Sequence, residues 1–539
     1  MPKILINEKD RTSPGTPSSY SNYAVLIPGF RGTATNASVE PDTNGVYEFN
    51  SAQAFKDTIG LVAPEITQET DSGTVTVYHY GNQMAYELLK LGYPVIYKPI
   101  TNINTPEVYA NDSEIGLADS KFWEIFKDKA SYDFRFVTHG LLESSNVADE
   151  AVYTEAQTRL TLVNNAIAEL ERIDANFELA EEKNDEYLLT FEDFEGFKYE
   201  DAFYANYNAA KDGTTSEKNL LTATLDDLIG GGISKDTINQ VNGHIANLAK
   251  RASETETAEE IPGRGDCIAL IELDEKSYSG NVYNAKAENL IINAINEMSQ
   301  INADNGKYCA LTVPSVHYNM TSDVAFKDNK KFPGAFHYLA CFINSLKLGF
   351  AEWYAAAGYT RGVSSYIIDH TTVKLGEIAI NALEPRNLIG NVNSVEPKFA
   401  CNVIANFRGS YYLWGNRTAH PLGKKGSLET GDLVASSFLN IRQLCTTIKK
   451  QLYIACSTFT FDPNSDTLWV NFVNAIKPTL EAMKADQGIR DYKILKVYTD
   501  TKATLKAKIR IIPIEAVEDF DLEVSLEDSF GETAAVVTE

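Results

Sequence analysis

SFLNIRQLCTTIKKQL, from Ser437 to Leu452, is the stretch that decides the fold of the last third of the chain. Its apolar residues recur at intervals of three and four, which places them on one face of an α-helix. The same spacing returns after a helix-start signal at Asp466. The two apolar stripes are Phe438, Ile441, Cys445, Ile448, Leu452 and Ala455, then Leu468, Phe472, Ile476, Leu480 and Met483. The sequence therefore predicts two packed helices in succession.

Alternating sequence follows these helices. Apolar residues alternate with cations from Leu505 to Ile511, which predicts a strand with one buried and one solvated face, and Pro513 ends it. A second alternating run, in which most of the polar residues are acidic, lies near the end of the chain; its apolar members are Phe520, Leu522, Val524 and Leu526. We expect this run to form a strand as well.

The first hundred residues predict an α/β arrangement. After an opening stretch rich in Ser, Pro and Thr, AVLIPGF at Ala24–Phe30 is the first predicted strand. Strand-like and helix-like runs then alternate up to Ile100; they are SAQAFKDTIG, TVTVYHY, GNQMAYELLKLG and YPVIYKPI.

The middle of the chain is less regular. One-sided apolar spacing predicts a surface helix from about Thr154 to Asn176. The acidic stretch from about Glu178 to Glu260 is predicted to be an irregular insertion. CIALIEL at Cys267–Leu273 and YCALTVP at Tyr308–Pro314 predict buried strands.

Composition bounds the class of protein. The chain has 539 residues, enough for several folding units, and its formal net charge of −26 argues against nucleic acid as the main partner. No apolar run is long enough for a signal peptide or a membrane span, so no membrane partner is expected. The six cysteines are scattered singly, which predicts reduced core residues and folding in a cytoplasm; they are Cys267, Cys309, Cys341, Cys401, Cys445 and Cys456.

Four segments of the last third resemble, in order, the tail sheath family of contractile bacteriophages. FAEWYAAAGYTRGV at Phe350–Val363 and LWGNRTAH at Leu413–His420 are similar to the family's "W...A..RG" and "iWGARTL" stretches. SFLNIRQLCTTIKKQL and FDPNSDTLWVNFVNAI at Phe461–Ile476 resemble its "inVRRL...I" and "FEPND..LW..i...I" helices. The motif residues are Trp353, Arg361, Trp414, Gly415, Arg417, Arg442, Pro463 and Trp469.

The sequence departs from the family pattern at two positions. Gln443 stands where the family's "VRRL" has its second arginine, and Asn416 stands where "WGART" has alanine. Each motif alone also has a simpler explanation: Trp414 and Trp469 are compatible with ordinary core aromatics, and Arg417 and Arg442 with surface cations. The order of the four segments favours the family.

The resemblance implies a mixed α/β, multidomain subunit without catalytic, cofactor or metal residues. It implies these segments: an N-terminal arm (1–22), an N-terminal α/β region (23–130), an inserted outer domain (131–345) with an acidic insertion near 178–260, a C-terminal sheath core (346–513) and a C-terminal arm (514–539) with an exchanged strand. The inserted domain is expected to face outward.

The resemblance also implies a function. Such subunits stack as hexameric rings around an inner tail tube and contract to drive the tube through the host envelope. The implied partners are other copies, the tube protein, and baseplate and tail terminator proteins, in a virion tail assembled in the host cytoplasm. The run Phe520–Leu526 would enter a neighbouring subunit, and Lys477 and Lys484 are candidate tube contacts.

The residues themselves support no enzyme. The seven histidines lie far apart, no two cysteines have zinc-site spacing, and no nucleophile elbow or phosphate loop is present. Asp369 and His370 are adjacent, but neighbours on a strand point to opposite faces. Arg264, Gly265 and Asp266 spell the integrin tripeptide before a buried strand, where a tight turn is expected. The alternatives are a virion-associated adhesin, a non-contractile tail protein or, less favoured, a hydrolase.

Overall fold

The computed structural model describes most of the chain outside the two ends. The described residues are 24–70, 73–100, 116–142, 158–160, 162–164, 166–167, 209, 212–221, 235–250, 263–273, 287–296, 298–302, 304–313, 316–318, 324–326, 331–363, 367–370, 383, 399–420, 435–497 and 505–514.

Helices and strands alternate along the chain. Up to the middle they are β1 (Val25–Phe30), β2 (Tyr47–Phe49), α1 (Ala52–Thr58), β3 (Glu65–Thr70), β4 (Gly73–His79), α2 (Gly81–Lys90), β5 (Val95–Ile100), α3 (Ser120–Glu124), β6 (Phe136–Val137), β7 (Leu141–Leu142), α4 (Lys235–Ala249), β8 (Ile268–Glu272) and α5 (Ala287–Asn296). The later ones are β9 (Cys309–Val313), β10 (Val316–Tyr318), β11 (Lys331–Phe332), α6 (Gly334–Lys347), α7 (Gly358–Arg361), β12 (Ile367–His370), β13 (Asn402–Phe407), β14 (Ser410–Trp414), α8 (Leu439–Thr458), α9 (Asp466–Ala485), β15 (Ile489–Val497) and β16 (Lys506–Pro513).

The centre of the molecule is an eight-stranded mixed sheet. Its strand order is β14-β13-β9-β8-β6-β1-β5-β2, parallel from β13 to β5 and antiparallel at both edge pairs. Every residue of β1, β8 and β9 is buried, as expected for strands covered on both faces. The predicted mixed α/β fold class is confirmed.

Helices cover both faces of this sheet. On each face a separate hydrophobic core lies between the sheet and the helices. One core includes Trp123 from α3, Val241 from α4 and Ile291 from α5. The core on the other face includes Met84 from α2 and Leu339 from α6. Burial of apolar side chains on both faces is the main stabilising term for such a three-layer arrangement.

The central sheet takes strands from three of the predicted segments. β1, β2 and β5 come from 23–130, β6, β8 and β9 from 131–345, and β13 and β14 from 346–513. The three segments are therefore joined in one sheet. Where each domain begins and ends stays a prediction.

Part of the stretch predicted as an irregular insertion is a buried helix. α4 lies within 178–260, and Ile238, Val241, Ile245 and Leu248 pack in the first core. Their spacing of three and four residues is a helical signal that the acidic composition around it obscured. The predicted helix at Thr154–Asn176 lies mostly outside the described residues.

The C-terminal module consists of the second half of α8, α9 and the β15–β16 hairpin. The predicted stripe of α9 is confirmed, because all five of its residues, from Leu468 to Met483, are buried. α9 begins at Asp466, and its N-cap Ser465 accepts a hydrogen bond from the Leu468 amide at 3.2 Å. β16 shows the predicted alternation and ends at Pro513.

The cysteine prediction is wrong for two of the six residues. Cys267, Cys309, Cys341 and Cys401 are buried, but Cys445 is only half-buried and Cys456 is exposed. The last turns of α8 extend beyond the central body and present Cys456 to solvent. Within the described residues, no helix combines the length and hydrophobicity needed to cross a membrane.

Candidate functional site

The motif segments meet at the N-terminal half of α8. Arg417, just after β14, forms a β-bridge with Phe438, which precedes the helix. The Arg417 guanidinium lies 4.5 Å from the centroid of the Phe438 ring and is almost completely buried. Arg417 is therefore a buried cation stacked on an aromatic ring and not a surface cation.

Asn416 caps α8 from outside the helix. The backbone amides of Leu439 and Asn440 donate to the backbone and side-chain oxygens of Asn416 at 2.9 and 3.0 Å. The Asn416 side-chain amide donates in turn to Asn440 Oδ1 at 2.7 Å. Phe438, at the N-cap position, makes no side-chain cap. Asn416 thus supplies the side-chain cap that Phe438 cannot provide. The alanine of the resembled signature could make neither of these side-chain hydrogen bonds.

Gly415 and Asn402 hold the same segment against the central sheet. Asn402 donates to the carbonyl oxygens of Leu311 and Arg417 at 3.0 and 2.9 Å, and it accepts from the Arg417 amide at 2.9 Å. Gly415 has a φ of 151°, and a Cβ on it would lie 2.9 Å from Asn402 Cα. Glycine is required at this position for both conformation and space.

Arg135 is a buried cation at the interface between the central sheet and α8. It donates to the carbonyl and side-chain oxygens of Gln443 at 3.3 Å each, and to Thr447 Oγ1 at 2.7 Å. Glu352 Oε1 lies 3.8 Å from the guanidinium and accepts from Thr447 Oγ1 at 3.0 Å. The Gln443 amide also donates to Tyr338 Oη at 2.7 Å. A second arginine at 443 would place two guanidinium groups together.

A second polar contact docks the middle of α8. Lys450, which is 5% exposed, forms an ion pair with Asp133 and lies 3.8 Å from Asp266. Arg264 donates to both carboxylate oxygens of Asp266 at 2.9 and 3.2 Å. Burial alone would raise the pKa of Asp266, but Arg264 and Lys450 outweigh it and lower the pKa. The integrin-like tripeptide is thus a buried turn, with Gly265 at a φ of 69°.

The other two motif arginines also stack on aromatic rings. Arg361 lies 4.9 Å from the ring centroid of Phe350 and 5.6 Å from that of Tyr354. Arg442 is buried and lies 4.4 Å from the ring centroid of Tyr308. All three motif arginines therefore fix loops and α8 to aromatic side chains.

Trp353 connects the motif loop to the C-terminal module. Its Nε1 donates to the carbonyl oxygen of Asp486 at 3.0 Å, and its ring covers Gly488, where a Cβ would lie 2.9 Å from Nε1. Trp469 packs against the module's core, as a core aromatic would. Pro463 is exposed in the turn between α8 and α9.

The remaining predicted residues are not brought into this site. Lys477 and Lys484 are exposed on α9, and Lys484 forms an ion pair with Asp491 at 3.1 Å. Phe520, Leu522, Val524 and Leu526 lie outside the described residues. No sequence motif marks Arg135, because its partners on α8 lie 308 and 312 positions further along the chain.

Two histidines are buried at the meeting of β4, β6 and α4. His79 Nδ1 accepts from the Gly81 amide at 3.1 Å, and His139 Nδ1 accepts from the Leu141 amide at 2.9 Å. Burial lowers the pKa of His79 to about 3, aided by the nearby His139, and burial lowers the pKa of His139 to about 4. Both rings are neutral at pH 7 and serve as hydrogen-bond acceptors for the backbone.

The described residues hold no group of three His, Cys, Asp or Glu side chains that could ligate a metal. A cavity of about 230 Å³ lies between α8 and α9, and its walls are mainly aliphatic. Its lining carries no ionisable side chain; the residues are Ile448, Gln451, Leu452, Ile454, Ala455, Ala475, Ile476, Thr479 and Leu480. The polar and aromatic contacts described above attach α8 to the central sheet.

No protein-family model matches the sequence, and no curated protein matches it. Solved structures match it over nearly its whole length. A chain of the cryo-EM structure of the anti-feeding prophage (AFP) baseplate, 6-fold symmetrised, has a TM-score of 0.50 at 11% identity, with 98% of this chain and 99% of that chain covered. The present chain therefore shares the overall fold of that AFP baseplate component.

Two further structures are similar at lower scores. One is the PVC sheath complex of an extracellular contractile injection system in its contracted state, with a TM-score of 0.46, 12% identity and 98% of each chain covered. The other is a sheath tail protein of Desulfitobacterium hafniense, with a TM-score of 0.36, 8% identity, and 95% of this chain and 100% of that chain covered.

Proposed function

We propose that this chain is the subunit of a contractile tail sheath. The observation that carries the proposal concerns four sequence segments that are ordered as in the tail sheath family. Three of them meet at the start of α8, and the fourth, which contains the start of α9, packs against α8 in the C-terminal module. Arg417, Arg442 and Trp353 each make a specific contact there. The full-length similarity in fold to a chain of the AFP baseplate is compatible with this proposal.

The proposed subunit polymerises as stacked hexameric rings around an inner tail tube. Contraction of the rings drives the tube through the host envelope during genome delivery. The partners are other copies of the chain, the tube protein, and baseplate and tail terminator proteins, in a virion assembled in the bacterial cytoplasm. Lys477 and Lys484 are exposed on α9 and are the proposed tube contacts.

The work of contraction needs no active site in this proposal. An extended polymer that is held by a kinetic barrier stores free energy during assembly and releases it when triggered. The described residues fit a mechanical role, because their buried cations join elements of the fold and two of their buried histidines, His79 and His139, accept backbone hydrogen bonds. We therefore propose a structural and not an enzymatic function.

Neighbouring subunits are proposed to stay connected by exchanging the strand Phe520–Leu526. The β15–β16 sheet is a suitable acceptor, since among the described residues it has only two strands and neither outer edge is paired. An exposed strand edge binds an added strand through main-chain hydrogen bonds. The binding of a single exchanged strand would be only marginally favourable. Many such contacts within the rings and between stacked rings make the connection lasting.

Electron microscopy of the purified full-length chain tests the proposal. We expect rings or hollow tubes of regular repeat, and longer ones when the inner tube protein is present. An adhesin, a non-contractile tail protein or a hydrolase would form no such tubes. A chain that stays without regular assembly at high concentration beside its tube protein contradicts the proposal. DNA in the parent particle would distinguish a phage tail from a phage-derived injection device.

A further inference from the structure

The outer face of the β15–β16 hairpin is basic, although the chain as a whole has a net charge of −26. Alternate residues of the two strands are exposed on this face. Four of them are cations, Lys493, Lys506, Lys508 and Arg510, which we call the basic face. Asp491 is the single acidic residue of the described hairpin strands.

The register of the hairpin concentrates this charge. Lys493 lies directly opposite Arg510, and like charges at directly opposed positions destabilise a strand pair. Among the described carboxylates, none forms an ion pair with Lys506, Lys508 or Arg510. The hairpin therefore carries positive charge that its described surroundings leave uncompensated.

The inner face of the same hairpin is apolar except for Lys496, which forms an ion pair with Asp466 of α9. Ile494, Ile509 and Ile511 are half-buried and pack on the core of the C-terminal module, which includes Phe472 and Leu480 from α9. A strand added at either edge of the hairpin would continue both faces. It would need apolar side chains toward α9 and anionic side chains on the basic side.

The end of this chain has that pattern. Residues 515–539 contain nine acidic residues and no Lys, Arg or His. From Phe520 to Glu527, four apolar residues alternate with Asp521, Glu523, Ser525 and Glu527. The run is eight residues long, as is β16.

We infer that the basic face recognises the acidic C-terminal segment of a second copy of this chain, through ion pairs that select its register. Asp521, Glu523 and Glu527 pair with the cations of the basic face, while the four apolar residues continue the inner face. A shift by one residue would place the carboxylates on the apolar side, so charge and hydrophobicity specify the same register. This inference rests on the proposed self-assembly and names the contact that directs it.

Charge exchange in the full-length chain tests the inference. Lys508→Glu/Arg510→Glu reverses part of the basic face, Asp521→Lys/Glu523→Lys reverses part of the segment, and a third variant combines all four changes. Lys121→Glu/Arg408→Glu is the matched control, since both cations are exposed elsewhere. Circular dichroism verifies folding, sedimentation velocity gives the concentration for half-assembly, and electron microscopy gives the geometry.

We expect each two-residue reversal to raise the concentration for half-assembly about tenfold or more, because every contact in the polymer is affected. The combined variant should assemble close to wild type, the control should be unchanged, and added salt should weaken wild-type assembly. Wild-type association into irregular particles with the same charge dependence would contradict the proposed sheath and support the contact.

Three outcomes would overturn the inference. Regular wild-type tubes that neither reversal affects would reject the charge match and leave the sheath proposal standing. Loss of inner-tube binding with intact self-assembly would assign the basic face to the tube. A wild-type chain that remains monomeric would show that the segment does not bind a second copy.

Discussion

Arg135 and Gln443 lie 308 positions apart in the chain, and two hydrogen bonds of 3.3 Å join them inside the interface between the central sheet and α8. Gln443 is one of the two departures from the resembled family pattern, and the other, Asn416, caps the same helix. Both departures are therefore local adaptations of one docking site. In each case an amide side chain can both donate and accept, which arginine or alanine cannot do.

Replacing Gln443 with the family's arginine should destabilise this chain. Gln443→Arg would place a second buried cation beside Arg135, and a buried charge left unpaired reduces the free energy of unfolding by about 3–5 kcal/mol. Arg135→Gln/Gln443→Arg should recover part of the loss, because one cation and one amide are restored. Urea unfolding of the four proteins of this cycle measures the coupling.

Gln53→Arg is the control for that cycle, since Gln53 is exposed and Asp57 lies one turn further along α1. Equal stability of Gln443→Arg and wild type would contradict the role given to Arg135.

Asn416→Ala should weaken the start of α8. The substitution removes the acceptor for the Asn440 amide and the donor to Asn440 Oδ1, and loss of an N-cap reduces stability by about 1 kcal/mol, with an upper range near 2. Asn416→Asp should lose less, because it keeps the acceptor and adds negative charge at a helix N-terminus. Hydrogen exchange of the first turn of α8 locates the effect, and equal protection in both variants would exclude the cap.

Stability should fall as the pH is lowered from about 6.5 toward 4. His79 and His139 have folded pKa values of about 3 and about 4, below the ordinary histidine pKa of about 6.5, so the unfolded chain binds more protons in this window. Each histidine contributes a slope of up to about 1.4 kcal/mol per pH unit. The contribution is fully present above the unfolded pKa and is lost as the pH falls toward the folded pKa.

His139→Asn isolates one of these two contributions, because its side-chain oxygen can accept the Leu141 amide without titrating. Unfolding midpoints in urea at pH 4.5, 5.5 and 7.5 should then change less with pH than those of wild type. Parallel pH profiles would mean that other groups dominate the acid sensitivity.

The acidic part of the chain should tolerate a deletion that spares α4. Replacing 178–234 with a short Gly/Ser linker keeps Val241 and Ile245 in the first core, so we expect a folded chain that still assembles. Deleting 178–260 removes α4 and several fully buried apolar side chains, and we expect insoluble or unfolded protein. Near-ultraviolet circular dichroism and electron microscopy compare the two, and equal behaviour would contradict a core role for α4.

Local sequence patterns predicted two kinds of element: those with a single apolar face, and strands that are buried on both faces. The stripe from Leu468 to Met483 identified α9, and continuous apolar runs identified β8 and β9. β15 was not predicted, since exposed Leu495 and half-buried Lys496 interrupt its alternation. The stripe predicted for α8 was incomplete, because nearly every side chain of its first half is buried, polar ones included.

The candidate site could be predicted only in part. The resemblance identified Arg417, Arg442 and Trp353 as motif residues but gave no partner for them. Their contacts depend on the order of the parallel strands in the central sheet. Long connections separate these strands in the sequence, so the spacing of nearby residues cannot predict the contacts. Arg135 has no motif of its own, and only the folded chain brings it to α8.

Truncation after Val517 should separate folding from assembly. The three cores and every described residue lie upstream of this position, so the truncated chain should keep its fold and its unfolding midpoint. It should remain monomeric, because the proposed exchanged strand Phe520–Leu526 is missing. Leu522→Asp/Val524→Asp should act in the same way by placing charge on the face that is predicted to be buried. Sedimentation velocity and electron microscopy measure both variants. If the truncated chain still built regular tubes around its inner tube protein, the C-terminal strand would not be the connector, and the N-terminal arm would have to link the subunits.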